Sequence, residues 1–355
     1  MLEFHEFDSL ADPELVSAWN ALEESGACPN PFASRVWITL WGEQFAREAG
    51  VRAFLGTLSG SPVALAVLFM RPDGGPAELA VNFLSPRGEF LLGEVDTAPF
   101  FEHVLTDMKD DRREVVLRSV PSDSKTRAGV EAATRGAGFL LDETESRTSP
   151  YITIDGSWED YKATRTTKRV ARWRKRVRKI EKIEGMTVNR LDGSTDVDRL
   201  VDGFIEVEKR SWKEKHGTSI SGRGLDDFYH AMCRSLEREG WFYPIWLERD
   251  GTMFAFLMAI LYGGALYALK TSFDERYSEF SPGTPLFYYA VTDAFDRGLT
   301  KVDFLGQPSR WKSEWATDHR EHTNLHLYPS GMAGAMRYLR ESRVKPIAKR
   351  VLKGQ

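Results

Sequence analysis

The sequence is poor in cysteine and contains no long apolar run. Cys28 and Cys233 are the two cysteines among 355 residues, which excludes a disulfide framework and a zinc site built on cysteine. No stretch approaches the ~18 consecutive apolar residues of a membrane-spanning helix. The first residues are acidic where a secretory signal needs a basic start and an apolar segment. We therefore expect a soluble, cytoplasmic protein.

An excess of one charge sign is also missing. The 48 basic and 52 acidic side chains give a net charge of −4, which argues against a protein that binds nucleic acid with its whole surface. No Gly-x-Ser-x-Gly elbow, Walker loop or Gly-x-Gly-x-x-Gly fingerprint follows a predicted strand. Among His319, His322 and His326, the last two lie in a predicted strand, where their side chains stand apart, and they lack the carboxylate of a His-Glu-x-x-His site. We expect no metal.

The charge that is present is unevenly distributed. The segment 162–182 contains eleven basic residues and one acid, Glu181, so it alone carries +10 and leaves −14 for the rest of the chain. Val170, Trp173, Val177 and Ile180 form an apolar stripe on the same predicted helix, 161–183. The alternatives are a solvated helix balanced by the acidic remainder, and a site for a phosphate-rich or acidic partner. A membrane surface is a third alternative.

The second half of the chain has a readable order of elements. Aromatic and apolar residues at 241–247, 253–261 and 265–273 are separated by Asp250-Gly251 and Gly263-Gly264, which predicts a three-stranded antiparallel meander. A predicted helix over 286–297 follows, and a strand over 301–305 closes the unit. Further helices are predicted at 203–215 and 225–239, and a strand at 324–328.

The first half repeats this order with little sequence identity. Strands are predicted at 52–58, 63–70 and 78–84, then a helix at 100–108 and a strand at 114–120. The offsets between corresponding elements are nearly constant, which favours an internal duplication over chance similarity. We predict a mixed α/β (α+β) protein of two tandem domains, 1–155 and 156–330, with a helical tail over 331–355.

One turn in the second half carries a chemical signal. Ser281-Pro282-Gly283-Thr284 lies immediately before the predicted helix. Such a turn can aim several unpaired backbone N–H groups outward at the positive end of the helix dipole, where an anion binds. The alternative is an ordinary helix cap with proline in the first turn.

Several short motifs follow one another in a specific order: 208–213 (EKRSWK), 264–270 (GALYALK), 277–283 (YSEFSPG), Gly298, 302–306 (VDFLG) and Trp311-Lys312. In the first half, Pro31-Phe32 is followed by Trp37 and Trp41. These residues, in this order, resemble the GNAT acyltransferase superfamily. The resemblance is to the CelD/BcsL-type acetyltransferases, whose domain is related to Fem-type aminoacyltransferases with two GNAT units.

The resemblance implies a donor site in the second half. Ser281, Pro282, Gly283 and Thr284 occupy the position of its pyrophosphate loop, and the acyl-pantetheine arm lies between its fourth and fifth strands. Thr271 and Lys312 are further donor-binding candidates. The first half has Pro86-Arg87-Gly88 at the corresponding place and no matching Ser-Pro-Gly, so we expect it to shape the acceptor pocket.

The resemblance also places the catalytic candidates. Asp303, on the fifth strand, is the first candidate for proton acceptor, and Glu208 is the second. Lys270 and Tyr267, on the fourth strand, are candidates to bind the acyl carbonyl or a substrate carboxylate. The alternatives are a loop-capping role for Asp303 and a buried ion pair for Glu208 and Lys270.

The resulting functional prediction is an N-acyltransferase. It would move an acyl group from acyl-CoA, or from a carrier-protein thioester, to an amine, less readily a hydroxyl, of a small-molecule acceptor. The segment 162–182 would contact an acyl-carrier protein or tRNA. The alternatives are a Fem-like aminoacyltransferase that uses aminoacyl-tRNA, and a non-catalytic GNAT-fold binding module.

Overall fold

The computed structural model describes residues 2–344. Its strands are β1 (Leu2–Phe7), β2 (Gly50–Leu58), β3 (Ser61–Met70), β4 (Ala77–Glu78), β5 (Leu91–Leu92), β6 (Val115–Pro121), β7 (Phe139–Thr153), β8 (Met186–Arg190), β9 (Phe242–Arg249), β10 (Thr252–Tyr262), β11 (Ala265–Phe273), β12 (Lys301–Asp303) and β13 (Asp318–Pro329). Its α-helices are α1 (Pro13–Glu24), α2 (Arg35–Phe45), α3 (Ala98–Asp110), α4 (Lys125–Thr134), α5 (Trp158–Ala163), α6 (Thr167–Glu181), α7 (Val197–Lys209), α8 (Trp212–Lys215), α9 (Asp226–Arg238), α10 (Gly283–Asp296), α11 (Arg310–Trp315) and α12 (Met332–Leu339).

The described chain divides into two compact units. Unit 1 contains the residues up to Thr148 and those from Arg320 onward, and unit 2 is Ser149–His319. The predicted division at 155–156 lies close to the observed one. The segment from Arg320, which the prediction places in the second domain, lies in unit 1 because β13 pairs with β6. Of the predicted tail, α12 lies within the described residues, and 345–355 lie outside them.

Unit 1 is built on a mixed sheet in the order β1-β2-β3-β4-β6-β13, with β5 pairing to β3. The pairs are antiparallel except β4 and β6, which run parallel. Helix α3 packs Phe101, Val104 and Met108 into the core beside Leu117 of β6. Their spacing of three to four residues places them on one face of the helix.

Unit 2 repeats this arrangement. The end of β7 pairs with β12, and the sheet continues β12-β11-β10-β9-β8. Again one pair is parallel, β11 with β12. Helix α10 buries Leu286, Ala290 and Ala294 completely against this sheet. Trp173 of α6 is also fully buried and stacks on Trp315, with ring centroids 3.8 Å apart.

Several predicted elements were wrong in extent. The strand predicted over 301–305 ends at Asp303, and the strand predicted over 324–328 is Asp318–Pro329. The strand predicted over 78–84 ends at Glu78, because the Asn82 side chain accepts hydrogen bonds from the N–H groups of Leu84 and Ser85 and forms a turn. The helix predicted over 161–183 is interrupted at Thr166, which caps α6. The helix predicted over 203–215 is likewise interrupted at Ser211, which caps α8.

Two structural features are absent from the described part of the chain. Within residues 2–344, no helix has both the length and the apolarity needed to cross a membrane. In the same residues, no three His, Cys, Asp or Glu side chains are grouped as metal ligands.

Candidate functional site

The parallel pairing of β11 with β12 in unit 2 ends after three residues. Ala265 pairs with Lys301, Leu266 with Val302 and Tyr267 with Asp303. Strand β12 ends at Asp303, whereas β11 continues to Phe273. We call the place where this pairing stops the opening of the strand pair. It lies at Tyr267 and Asp303, two predicted catalytic residues that the register brings side by side.

Strand β11 carries a bulge beside this opening. Met258 of β10 is opposite Lys270, and the next residue, Ala259, is opposite Ala268, so Leu269 is an additional residue on β11. A bulge bends its strand and redirects the neighbouring side chains. Lys270, on the far side of the bulge, is directed toward α7 and α9, where its ammonium meets Glu208 and the ring of Tyr229.

Asp303 is buried, with 1% of its surface exposed. Its Oδ1 accepts a hydrogen bond of 2.9 Å from the N–H of Leu305, which has a left-handed φ of 51°. The Leu305 carbonyl in turn accepts a bond of 2.6 Å from the Lys312 ammonium. This carboxylate therefore fixes the turn after β12, with Lys312 attached to the same turn.

Glu208 lies at the centre of a buried ionic cluster. Its carboxylate is completely buried and contacts Lys213 Nζ at 2.7 Å and Lys270 Nζ at 3.2 Å. It also accepts a bond of 2.9 Å from the N–H of Ile220. Burial and the neighbouring Lys213 ammonium lower the pKa of Lys270 to about 8, although Glu208 acts in the opposite direction. The structure thus brings two predicted catalytic residues together and adds Lys213.

Thr271 joins this cluster through its backbone. Its carbonyl accepts a hydrogen bond of 2.7 Å from Lys213 Nζ, whereas its hydroxyl donates to the carbonyl of Phe256 at 2.8 Å. The hydroxyl is therefore engaged with the neighbouring strand.

The loop before α10 has fewer free backbone N–H groups than the sequence predicts. Pro282 has no N–H. The N–H of Ser281 bonds to the Ser278 carbonyl at 3.0 Å, and the N–H of Thr284 bonds to the Ser281 carbonyl at 3.1 Å. Within residues 2–344, the N–H of Gly283 has no acceptor. The prediction of several outward N–H groups was therefore wrong, because three of the four positions lack an N–H or have it bonded within the loop.

Positive charge reaches this loop from α6 instead. Arg176 Nη1 donates to the Thr284 hydroxyl at 2.8 Å, and Lys179 Nζ donates to the Glu279 carbonyl at 3.0 Å. A Cβ placed on Gly283 would meet no atom within 4 Å, so the space beside the loop is open. Sequence reasoning did not connect Arg176 and Lys179 with the loop. The available signal was their spacing from Arg172, which places all three on one helical face.

The solvent-facing positions of α6 are cationic. Five side chains there are exposed and have no hydrogen-bond or ion-pair partner among residues 2–344; they are Lys168, Arg174, Lys175, Arg178 and Lys182. Four of these cations, with Lys179, Val170 and Ala171, line a surface groove of about 560 Å³. These cations are not paired with acidic residues of the described chain, so their charge is available to a partner, while a solvated helix would show the same exposure.

The parallel strands of unit 1 do not open in this way. The N–H of Gly88 donates to the Ser119 carbonyl on β6 at 3.2 Å, so the loop after β4 lies against β6. A Cβ on Gly88 would collide with the backbone carbonyl of Arg118, which shows how closely the loop approaches the strand. The space corresponding to the opening in unit 2 is occupied by the chain itself.

These features agree with the comparisons to known proteins. Residues 167–313 match the family model Acetyltransf_6, described as an acetyltransferase (GNAT) domain. FemX is similar in structure, with a TM-score of 0.67 and 13% identity, over 96% of this chain and 100% of that chain. A tandem GNAT protein from the clavulanic acid biosynthesis pathway has a TM-score of 0.50 and 15% identity, over 94% of this chain and 100% of that chain.

The chain has a duplicated, Fem-related GNAT fold.

This finding confirms the fold class and the resemblance predicted from the sequence. L-PGS from Bacillus licheniformis is similar in the same way, with a TM-score of 0.58 and 13% identity, over 93% of this chain and 96% of that chain. No curated protein matches the sequence of the chain. At these identities the solved structures establish the GNAT fold, and the family match indicates a transferase.

Proposed function

We propose that unit 2 is an N-acyltransferase that takes its acyl group from a pantetheine thioester, with acyl-CoA as the donor. The observation that carries this proposal is the opening of β11 and β12 at Tyr267 and Asp303. A linear pantetheine arm fits between two strands that diverge, and its thioester would then reach the bulge at Leu269.

The diphosphate of the donor would lie at the start of α10. The Gly283 N–H and the positive end of the helix dipole attract an anion there. Arg176 and Lys179 of α6 supply full positive charges beside the same loop. Ser281 and Pro282 set the loop conformation, and Ser281 has a left-handed φ of 51°.

The chemistry requires an amine to lose a proton as it attacks the thioester carbonyl. We assign proton acceptance to Asp303, because it is the carboxylate at the strand opening. Tyr267, opposite it in the register, would position the thioester. Both oxygens of Glu208 are engaged by lysines, so we assign this residue to positioning Lys270 rather than to proton transfer.

A ligand titration tests the donor. Coenzyme A, acetyl-CoA and bulk tRNA are compared in parallel by thermal shift on the purified chain, and calorimetry gives the stoichiometry. A ligand at a hundredfold excess over its Kd stabilises the native state by about 2.7 kcal/mol. We expect stabilisation by the coenzymes with one molecule bound per chain, because unit 1 fills its own opening. No response to either coenzyme would refute the proposal.

Gly283→Ala should weaken donor binding without weakening the fold. The added methyl group meets no protein atom within 4 Å, and alanine is more stable than glycine in a helix by about 1 kcal/mol. It projects into the space that we assign to the diphosphate, so we expect the Kd for coenzyme A to rise by about tenfold or more. Gly193→Ala is the matched glycine control for Kd, because its added methyl group also meets no protein atom within 4 Å. Unchanged affinity in Gly283→Ala would place the phosphates elsewhere.

A second candidate function is aminoacyl transfer from aminoacyl-tRNA. The exposed cations of α6 favour it, since five unpaired positive charges exceed what a single coenzyme needs. The fold likeness to FemX is consistent with this reading. The same face would serve an acidic acyl-carrier protein if the thioester arrives on a carrier.

The second candidate makes a salt-dependent prediction. Replacing Lys175 and Arg178 by Gln removes two exposed charges and no described contact. The slope of log K against log salt for tRNA should then fall by about 2, because each phosphate contact contributes about 0.9. The matched control is Lys215→Gln with Lys209→Gln, two exposed lysines outside α6. An unchanged slope for tRNA, with a loss of affinity for a carrier protein, would assign the face to the carrier.

A further inference from the structure

The cluster around Glu208 contains more positive than negative charge. One fully buried carboxylate is shared by two ammonium groups, Lys213 at 2.7 Å and Lys270 at 3.2 Å. The N–H of Ile220 occupies a further position on the carboxylate. The three ionic side chains therefore sum to +1. Arg223 adds a positive field, because it lowers the pKa of Lys270 together with Lys213.

Lys270 is the member of the cluster whose ammonium has unused hydrogen-bond donors. Lys213 divides its ammonium between Glu208 and the Thr271 carbonyl at 2.7 Å. Lys270 has one hydrogen-bonding partner within residues 2–344, Glu208 at the longer distance of 3.2 Å. An ammonium has three N–H donors, and 14% of the Lys270 side chain is exposed. An incoming acceptor atom can therefore reach this group.

Tyr229 adds a second unused donor next to Lys270. The Lys270 ammonium lies 5.5 Å from the centroid of the Tyr229 ring. The Tyr229 side chain is 1% exposed, and its hydroxyl makes no hydrogen bond within the described chain. A buried hydroxyl without a partner costs folding free energy. The surroundings of Lys270 therefore include a buried donor that the described chain leaves unpaired.

A structural ion pair would not need this arrangement. One lysine neutralises Glu208, and the second adds a desolvation cost, since burial is the main reason that the pKa of Lys270 is lowered to about 8. Buried charged groups whose pKa is shifted by desolvation are concentrated at functional sites.

We propose that Lys270, supported by Lys213 and Tyr229, binds an anionic group of the acceptor, so that the acceptor is an amine carrying a carboxylate or a phosphate. This inference rests on the proposed acyl transfer, because Lys270 follows the bulge of the strand that would hold the thioester. An anion at this position makes the cluster electrically neutral. It also orients the acceptor while leaving its amine to react.

The acetylation rate of the Lys270 amine provides a test that does not require turnover. N-hydroxysuccinimide acetate labels accessible neutral amines, and mass spectrometry measures the rate at each lysine. The probes are matched pairs: the twenty L-amino acids against their carboxamides, and phosphoethanolamine and glucosamine 6-phosphate against ethanolamine and glucosamine. An anion that raises the pKa of Lys270 by one unit lowers its neutral fraction about tenfold.

We expect about tenfold protection of Lys270 by at least one anionic member of the pairs and none by its neutral partner. The probes are amines that also consume the reagent, so protection is measured as the rate at Lys270 divided by the rate at Lys175, an exposed lysine of α6 that serves as the internal control. Protection by amino acids alone would assign a carboxylate, and protection by the phosphates alone would assign a phosphate. Equal protection by charged and neutral members, or no protection by any anion, would overturn the inference.

Two variants separate this site from the donor site. In Lys270→Met, thermal stabilisation by the protective anion should disappear while coenzyme A still stabilises the protein. In Lys270→Arg, which keeps the charge, stabilisation by the anion should return. Selective protection by an anion, without a response to coenzyme A, would contradict the proposed donor and support the anion site. A response to coenzyme A without selective protection would support the donor and contradict the anion site.

Discussion

Asp303→Asn should lower turnover by about 10² to 10⁴ fold, the range that a positioned general base contributes. The donor affinity should stay within about twofold, because asparagine keeps an oxygen that can accept the Leu305 N–H now bonded to Oδ1 at 2.9 Å. Turnover is measured as thiol release from acetyl-CoA with the amine acceptor identified by screening, and affinity is measured by calorimetry with coenzyme A.

Asp303→Ala is the matched comparison. It removes the charge together with the cap of the turn, so it should lose turnover and also about 1 kcal/mol or more of stability by leaving a buried N–H unsatisfied. Equal losses of turnover and donor affinity in Asp303→Asn would show that the carboxylate is structural. Unchanged turnover would transfer the role of base to another group.

Glu208→Gln should strongly destabilise unit 2. It leaves two ammonium groups, on Lys213 and Lys270, without their buried counter-charge. Breaking a buried pair on one side costs about 3–5 kcal/mol. The free energy of unfolding in urea, measured at neutral pH, should fall by that amount.

Glu206→Gln on the same helix is the control. Glu206 pairs with Lys209 at 2.8 Å at the surface, with more than half of its side chain exposed. An exposed pair contributes about 1 kcal/mol or less, so this variant should unfold almost like the parent protein. Adding Lys270→Met to Glu208→Gln should recover part of the lost stability, since it removes one of the stranded charges. If the two glutamine variants were equally stable, the ionic cluster would not be formed in solution.

The meander of unit 2 was predictable from local sequence signals. Glycines at 263 and 264 set the start of β11, and its predicted range, 265–273, agrees with the structure. Two-residue turns and short apolar runs are local signals, so they can be read without knowledge of the tertiary fold. The loop before α10 was placed by the same kind of signal.

The ionic cluster was less predictable. Glu208 and Lys270 lie 62 positions apart in the sequence, and no local pattern shows that a helix and a strand will bring them to 3.2 Å. The sequence does not predict that Lys213 belongs to the cluster, because a lysine after a tryptophan has no feature that distinguishes it from a surface lysine. The sequence analysis named a buried ion pair of Glu208 and Lys270 as the alternative to catalysis, and the structure contains this pair. The part that Lys213 plays required the packing of α7 and α8 against β11.

The hydrogen bonds of the loop before α10 were not predictable for a different reason. The sequence places the loop before the helix, but counting its free N–H groups requires the backbone conformation. Ser281 adopts a left-handed φ and accepts from Thr284, which consumes a donor that the sequence suggested was available. The contribution of Arg176 depended on how α6 packs against α10, which periodicity alone does not give.

The loop that fills unit 1 also protects a strand edge. Strand β4 covers β6 for two residues only, Val115 and Val116. Beyond them, the peptide groups of β6 would present an open edge, which in other proteins recruits strands from neighbouring molecules. The bond from Gly88 to Ser119 closes this edge with the protein's own backbone. The same loop therefore gives unit 1 resistance to intermolecular β-pairing, a property unrelated to any ligand.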